Sequence, residues 1–102
     1  MTSSAGKTLK ETLQESLDVA EWGWMVRHAA RDALIVVASE MDLLETGLKI
    51  AEDDAVSVGG WINSGKLAKP TREQIETWSL DPKRKFRSLV VQPYVLIQEV
   101  VH

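Results

Sequence analysis

A chain of 102 residues with 44% hydrophobic content suffices for one compact domain and is too short for two. It has no cysteine, which excludes disulfides, thiolate catalysis and thiolate-bound zinc, and leaves His28 and His102 as its imidazoles. The net charge of −3 is divided unevenly, five Lys/Arg against eleven Asp/Glu in residues 1 to 55 and seven against four in 56 to 102, an asymmetry able to set the polarity of self-association but too weakly positive to imply nucleic acid.

Residues 1 to 7, MTSSAGK, are small and polar and read as a flexible N-terminus before a single domain over 8 to 102. No run approaches the roughly 18 apolar residues of a membrane span, so a soluble, cytoplasmic protein is expected. Thr8 and Glu11 fit a capping box, and Leu9, Leu13, Leu17, Ala20 and Trp24 follow at steps of four, four, three and four. That stripe predicts one long amphipathic helix with Trp24 in the core. Gly23 lies inside it at a cost of about 1 kcal/mol relative to Ala, so a bend or restart is expected there.

Residues 33 to 38, ALIVVA, form a short branched apolar run, the pattern of a strand covered on both faces. A helix of about ten residues is predicted from Asp42, with Leu43, Leu44, Gly47, Leu48 and Ala51 on one side. Glu52-Asp53-Asp54 breaks it. Asp54 is placed to cap a further helix whose buried face is Val58, Trp61 and Ile62, and Gly65 is placed as its left-handed stop. Thr71 with Gln74 opens one more helix ending near Trp78. Beyond Asp81-Pro82 and Lys83-Arg84-Lys85, FRSLVVQPYVLIQEVVH is strand-like and divided by Pro93, giving either two strands joined at Gln92-Pro93 or one bulged edge strand. The sum is an α+β fold: a long N-terminal helix, a helix-turn-helix-like middle, and a small antiparallel sheet from residues 33 to 38 and the C-terminal strands.

Several blocks together, Met41-Asp42-Leu43-Leu44-Glu45, Ala51-Glu52-Asp53-Asp54, Trp61 with Gly65, Gln74 and Trp78, and Val90 through Glu99, resemble the short bacterial proteins grouped as domain of unknown function family 2288. The similarity spans roughly Trp22 to Glu99. It implies a bacterial origin and a shared fold, and no catalytic residue to carry over. The family often has glycine near the position of Asp32, so the turn into the first strand is expected to differ here.

Candidate chemistry is sparse. Asp53 and Asp54, with Glu45 and Glu52 nearby, are the oxygen donors a hard cation would use, yet adjacent side chains on a tight turn seldom converge on one ion, and capping is the expected role of Asp54. The serines have no base-plus-acid arrangement beside them, and Gly59-Gly60 has no phosphate-binding spacing. His28 reads as a capping or surface residue near a helix C-terminus. No catalytic residue, metal ligand or cofactor is therefore expected. Trp24 and Trp61 fall on apolar stripes and read as core, whereas Trp22 and Trp78 read as lining a groove or partner contact. With Tyr94, Val95 and Ile97 they form the expected interaction surface, the last two on a C-terminal strand edge where two copies would meet.

The element order also fits a winged helix, in which Lys66, Lys69, Arg72, Lys83, Arg84 and Lys85 would touch phosphate. Against this, AVSVGGWIN carries no Lys or Arg and follows three carboxylates. The expected function is a non-enzymatic protein-interaction or regulatory module whose partner is another protein or a second copy. DNA binding is the alternative.

Overall fold

The computed structural model describes residues 8 to 100; the expected flexible segment 1 to 7 and the chain end at Val101 and His102 lie outside them. In chain order the elements are α1 (Leu9–Glu15), β1 (Asp18–Glu21), α2 (Trp22–Ala30), β2 (Leu34–Val37), α3 (Leu43–Ala51), α4 (Ala55–Asn63), β3 (Leu67–Ala68), α5 (Arg72–Ser79), β4 (Lys85–Val91) and β5 (Tyr94–Glu99). All five strands join one sheet in the order β1-β4-β5-β2-β3. The fold is α+β.

The sheet is mixed, not antiparallel throughout. Strand β5 pairs antiparallel with β4 and parallel with β2, which places Leu34 beside Val95 and Val36 beside Ile97. A parallel neighbour is reached because the chain leaves β2 through α3, α4, β3, α5 and β4 before β5 returns beside it, the long crossover that parallel strands require. Pro93 separates two strands: Val91 faces Tyr94 across a two-residue turn containing a cis Gln92–Pro93 bond.

Alternation along the central strands sends side chains to two cores. On one face Val37, Leu89, Val91 and Leu96 pack with Leu13 of α1 and Leu43 of α3. On the other, Leu34, Phe86, Val95 and Ile97 pack with Trp22 and Met25 of α2 and Trp78 of α5. Strand β2 is covered on both sides, as its uninterrupted apolar run implies. Gln98 is buried as well, and its Nε2 donates to the carbonyls of Ala38 (2.8 Å) and Met41 (2.7 Å), tying β5 to the loop between β2 and α3.

The long first helix does not form. Helix α1 stops at Glu15, the Ser16 N–H and hydroxyl both donate to the Leu13 carbonyl, and residues 18 to 21 pair antiparallel with β4 as an edge strand. Four ladder positions and a place beside the core outweigh the local helical stripe. Helix α2 then restarts without a side-chain cap; its first amides donate instead to the Arg84 and Pro82 carbonyls, each at 2.8 Å. Gly23 marks this close approach, since a Cβ there would meet Pro82 at 3.2 Å. The restart also resets the helical phase. Trp22 and Met25 now face inward, and Trp24, expected in the core, is 61% exposed.

Three helices end in the same hydrogen-bonded motif, with a residue in the left-handed region at its turn: Asp32 (φ 63°) after α2, Asp53 (φ 60°) after α3 and Gly65 (φ 80°) after α4. In each, the next amide reaches back five residues, Ala33 to His28, Asp54 to Lys49 and Lys66 to Trp61. Asp32 thus adopts the conformation glycine favours, and Asp tolerates it better than most residues. The capping boxes at Thr8–Glu11 and Thr71–Gln74 both form, and Asp42 and Asp54 cap α3 and α4.

Candidate functional site

Four of the five residues expected at an interaction surface lie inside the protein. Trp22 (1% exposed) meets Trp78 edge-on with ring centroids 5.1 Å apart, and both pack against Phe86, at 5.9 and 4.8 Å. The buried Trp22 indole N–H donates to the Ser79 hydroxyl at 3.0 Å. Val95 and Ile97 belong to the same core, because β5 is an inner strand bonded on both sides and offers no edge. The correction is topological: the edges belong to β1 and β3. Of the five, Tyr94 alone reaches the surface.

The basic residues of the DNA-binding alternative are mostly engaged. Lys66 pairs with Glu40, Lys69 with Asp32, Arg72 with Glu76 and Arg84 with Glu99, while Lys83 and Lys85 are exposed before and at the start of β4. The Asp54 carboxylate accepts from the Ser57 amide (3.1 Å) and hydroxyl (3.0 Å), and these bonds hold its pKa below the usual carboxylate value. An ionised carboxylate therefore seals the N-terminus of α4. Asp53 does not join it in this cap.

A surface that the sequence reading missed surrounds α4. None of its nine residues is fully buried; Trp61 and Val58 are partly covered, whereas Val56 is 88% and Ile62 57% exposed. Beside it runs an apolar groove of about 320 Å³, lined by Val58 and Ile62 of α4, Ile50 of α3, Ile35 of β2 and Leu67 of β3, with Lys69 and Tyr94 also on its wall. The sequence signal was available. Residues 55 to 63 contain no charge in a chain where 26% of residues are charged.

The model of the family described as protein of unknown function (DUF2288) matches residues 8–99, from the cap of α1 to the last residue of β5. The chain belongs to the DUF2288 family. This DUF2288 chain is also similar to PA1075 from Pseudomonas aeruginosa, whose solution structure was determined by NMR: 28% identity and a TM-score of 0.78, covering 100% of this chain and 95% of that one. Among curated proteins, none matches it.

Within the described part of the DUF2288 chain, no helix is long and apolar enough to cross a membrane, and no three His, Cys, Asp or Glu residues are grouped as a metal site would require. Asp42, Asp54, Thr8 and Thr71 serve as caps, and Glu40, Asp32, Glu76 and Glu99 sit in surface pairs. What α4 and its groove can do chemically is exclude water against another apolar surface.

Proposed function

We propose that this protein is a non-enzymatic, cytosolic interaction module that associates with a second copy of itself through α4. The observation that carries the reading is the charge-free α4, with Val56 exposed on the helix and Ile62 exposed at the wall of the apolar groove. Each copy would supply both the protruding apolar residues and the groove to receive them, the self-complementarity that a two-fold interface requires.

Charge gives the pairing a direction. Exposed Glu52 and Asp53 precede α4, and Lys66 and Lys69 follow it. An antiparallel crossing of two α4 helices brings the acidic end of one beside the basic end of the other, which repels a parallel arrangement and favours this one. Glu40 and Asp32, the present partners of the two lysines, sit in exposed pairs of small energetic worth and can yield. The nucleic-acid reading has less support, since four of its six cations already face carboxylates and α4 brings none.

Sedimentation equilibrium tests the proposal. Wild-type protein should be dimeric at about 100 µM, a concentration well above micromolar affinities. Ile62→Glu and Val56→Lys should yield folded monomers, and Glu52→Lys should weaken a dimer that Lys66→Glu in the same chain restores. A wild-type monomer at that concentration overturns the reading.

A further inference from the structure

A second cleft, on the α2 side of the sheet, has a different character. It encloses about 460 Å³ between α2 and the β4–β5 turn, and its wall includes Trp24, His28, Arg31, Gln92, Pro93 and Tyr94. That volume lies within the roughly 300–1,000 Å³ of small-molecule sites. No Asp or Glu lines it.

The restart of α2 explains how these residues come together. With Trp22 and Met25 turned inward, Trp24 and His28, four residues apart, share the outer side of the helix, and their rings stand 6.0 Å apart. Arg31 follows at the C-cap, and its Nη2 donates to His28 Nδ1 at 3.0 Å. Arginine has no acceptor, so Nδ1 must carry the lone pair, and the imidazole is neutral with its proton on Nε2. Burial, then the charges of Arg31 and Arg27, depress the His28 pKa and favour that form. The Arg27 guanidinium lies 6.0 Å from the Trp24 ring centroid. Among the described residues no carboxylate pairs with Arg27 or Arg31. A guanidinium held by a neutral imidazole, beside a largely exposed tryptophan, serves no core.

We propose that this cleft binds a small organic anion carrying a planar ring, the ring stacking against Trp24 and the carboxylate or phosphate meeting the Arg31 guanidinium. Arginine suits such a group because its planar fork matches two anionic oxygens at once. Aromatic side chains suit the ring because every planar ring offers a stacking face. The alternative use of Arg27, His28 and Arg31 is to complement the C-terminal dipole of α2 alone. That role needs neither the cavity nor Trp24.

Titration by ¹H–¹⁵N NMR decides between them, following the Trp24 indole N–H and the Arg31 guanidinium N–H. Adenosine monophosphate and indole-3-acetate serve as charged probes, adenosine and indole-3-acetamide as uncharged counterparts, and inorganic phosphate and acetate as anions without a ring. At least one charged ring compound should saturate with a Kd below about 1 mM, at least tenfold tighter than its uncharged counterpart and than the ringless anion. Which one saturates identifies phosphate or carboxylate as the preferred anion. Trp24→Ala and Arg31→Gln should each weaken that binding about tenfold or more, and Arg31→Lys by less, with melting temperatures unchanged because both side chains are exposed. Failure of both charged compounds to saturate, equal binding of the uncharged ones, or shifts confined to residues away from Trp24 and Arg31 would overturn the proposal.

Discussion

Gly47 of α3 lies directly over Leu89 of β4, so close that a Cβ on Gly47 would overlap the Leu89 Cδ2 atom and stand 3.2 Å from Val91 Cγ2. Leu89 is fully buried, so moving its side chain aside disturbs the packed core around it. The glycine sets how near α3 comes to the sheet, and through α3 it positions α4.

Gly47→Ala should therefore be destabilising despite a better helix former. Helix propensity offers about 1 kcal/mol, while forcing a methyl group into a packed core costs about 1–3 kcal/mol. Gly59→Ala has open space around its Cβ and should instead stabilise by up to about 1 kcal/mol. Urea denaturation of the two variants beside wild type checks the opposite signs.

Replacing Gln98 tests the bridge to the loop before α3. Gln98→Leu keeps the volume but removes both N–H donors, and each partly buried carbonyl left without one costs up to about 1–3 kcal/mol. Gln98→Glu places a carboxylate against two carbonyl oxygens, so its folded-state pKa rises above the unfolded value of about 4.3. Its deficit relative to wild type should be smallest below that pH, where the protonated acid can still donate once, and should grow as pH rises. A deficit independent of pH between 3.5 and about 7 would contradict the bridging role.

At Asp54 the order of substitutions matters more than their size. Asp54→Ala should lower the melting temperature, whereas Asp54→Asn and Asp54→Ser, which retain an acceptor oxygen for the Ser57 amide, should lower it less. The folded-state pKa of Asp54 is depressed, chiefly by the Ser57 amide, so the contribution of its charge is present above the unfolded pKa of about 3.9 and fades as pH falls through the lower folded value. The advantage of wild type over Asp54→Asn should shrink correspondingly. Millimolar magnesium should not change any of the four melting temperatures; a rise in wild type alone would point to a cation site instead of a cap.

Charge placed on β5 should unfold the protein, unlike charge placed on α4. Ile97→Lys buries an unpaired ammonium at a fully enclosed position between β2 and β4, at a cost of about 3–5 kcal/mol or more. Val56→Lys adds charge to a side chain 88% exposed in a single copy and, at protein concentrations low enough that copies do not associate, should leave the melting temperature nearly unchanged. Circular dichroism melts of both variants distinguish an inner strand from an edge.

The local signals in the sequence determined most element boundaries from Asp42 onward: the caps at Asp42, Asp54 and Thr71, the left-handed stop at Gly65, and the break at Pro93 all depend on interactions within a few residues. They also determined the two-sided burial of β2 and the family, since a branched apolar run and the order of its blocks are properties of the chain itself. Only the tertiary structure decided that residues 18 to 21 leave the helical stripe, because their ladder with β4 is made with residues 64 to 70 positions away. The same pairing reset the phase of α2, turning Trp22 inward and Trp24 outward, and so assembled a cleft that no periodicity count would place. Strand order likewise made β5 an inner strand and buried Val95 and Ile97, while leaving the uncharged α4 at the surface: side-chain pattern reports that a segment is apolar, and topology alone settles which apolar segment remains uncovered.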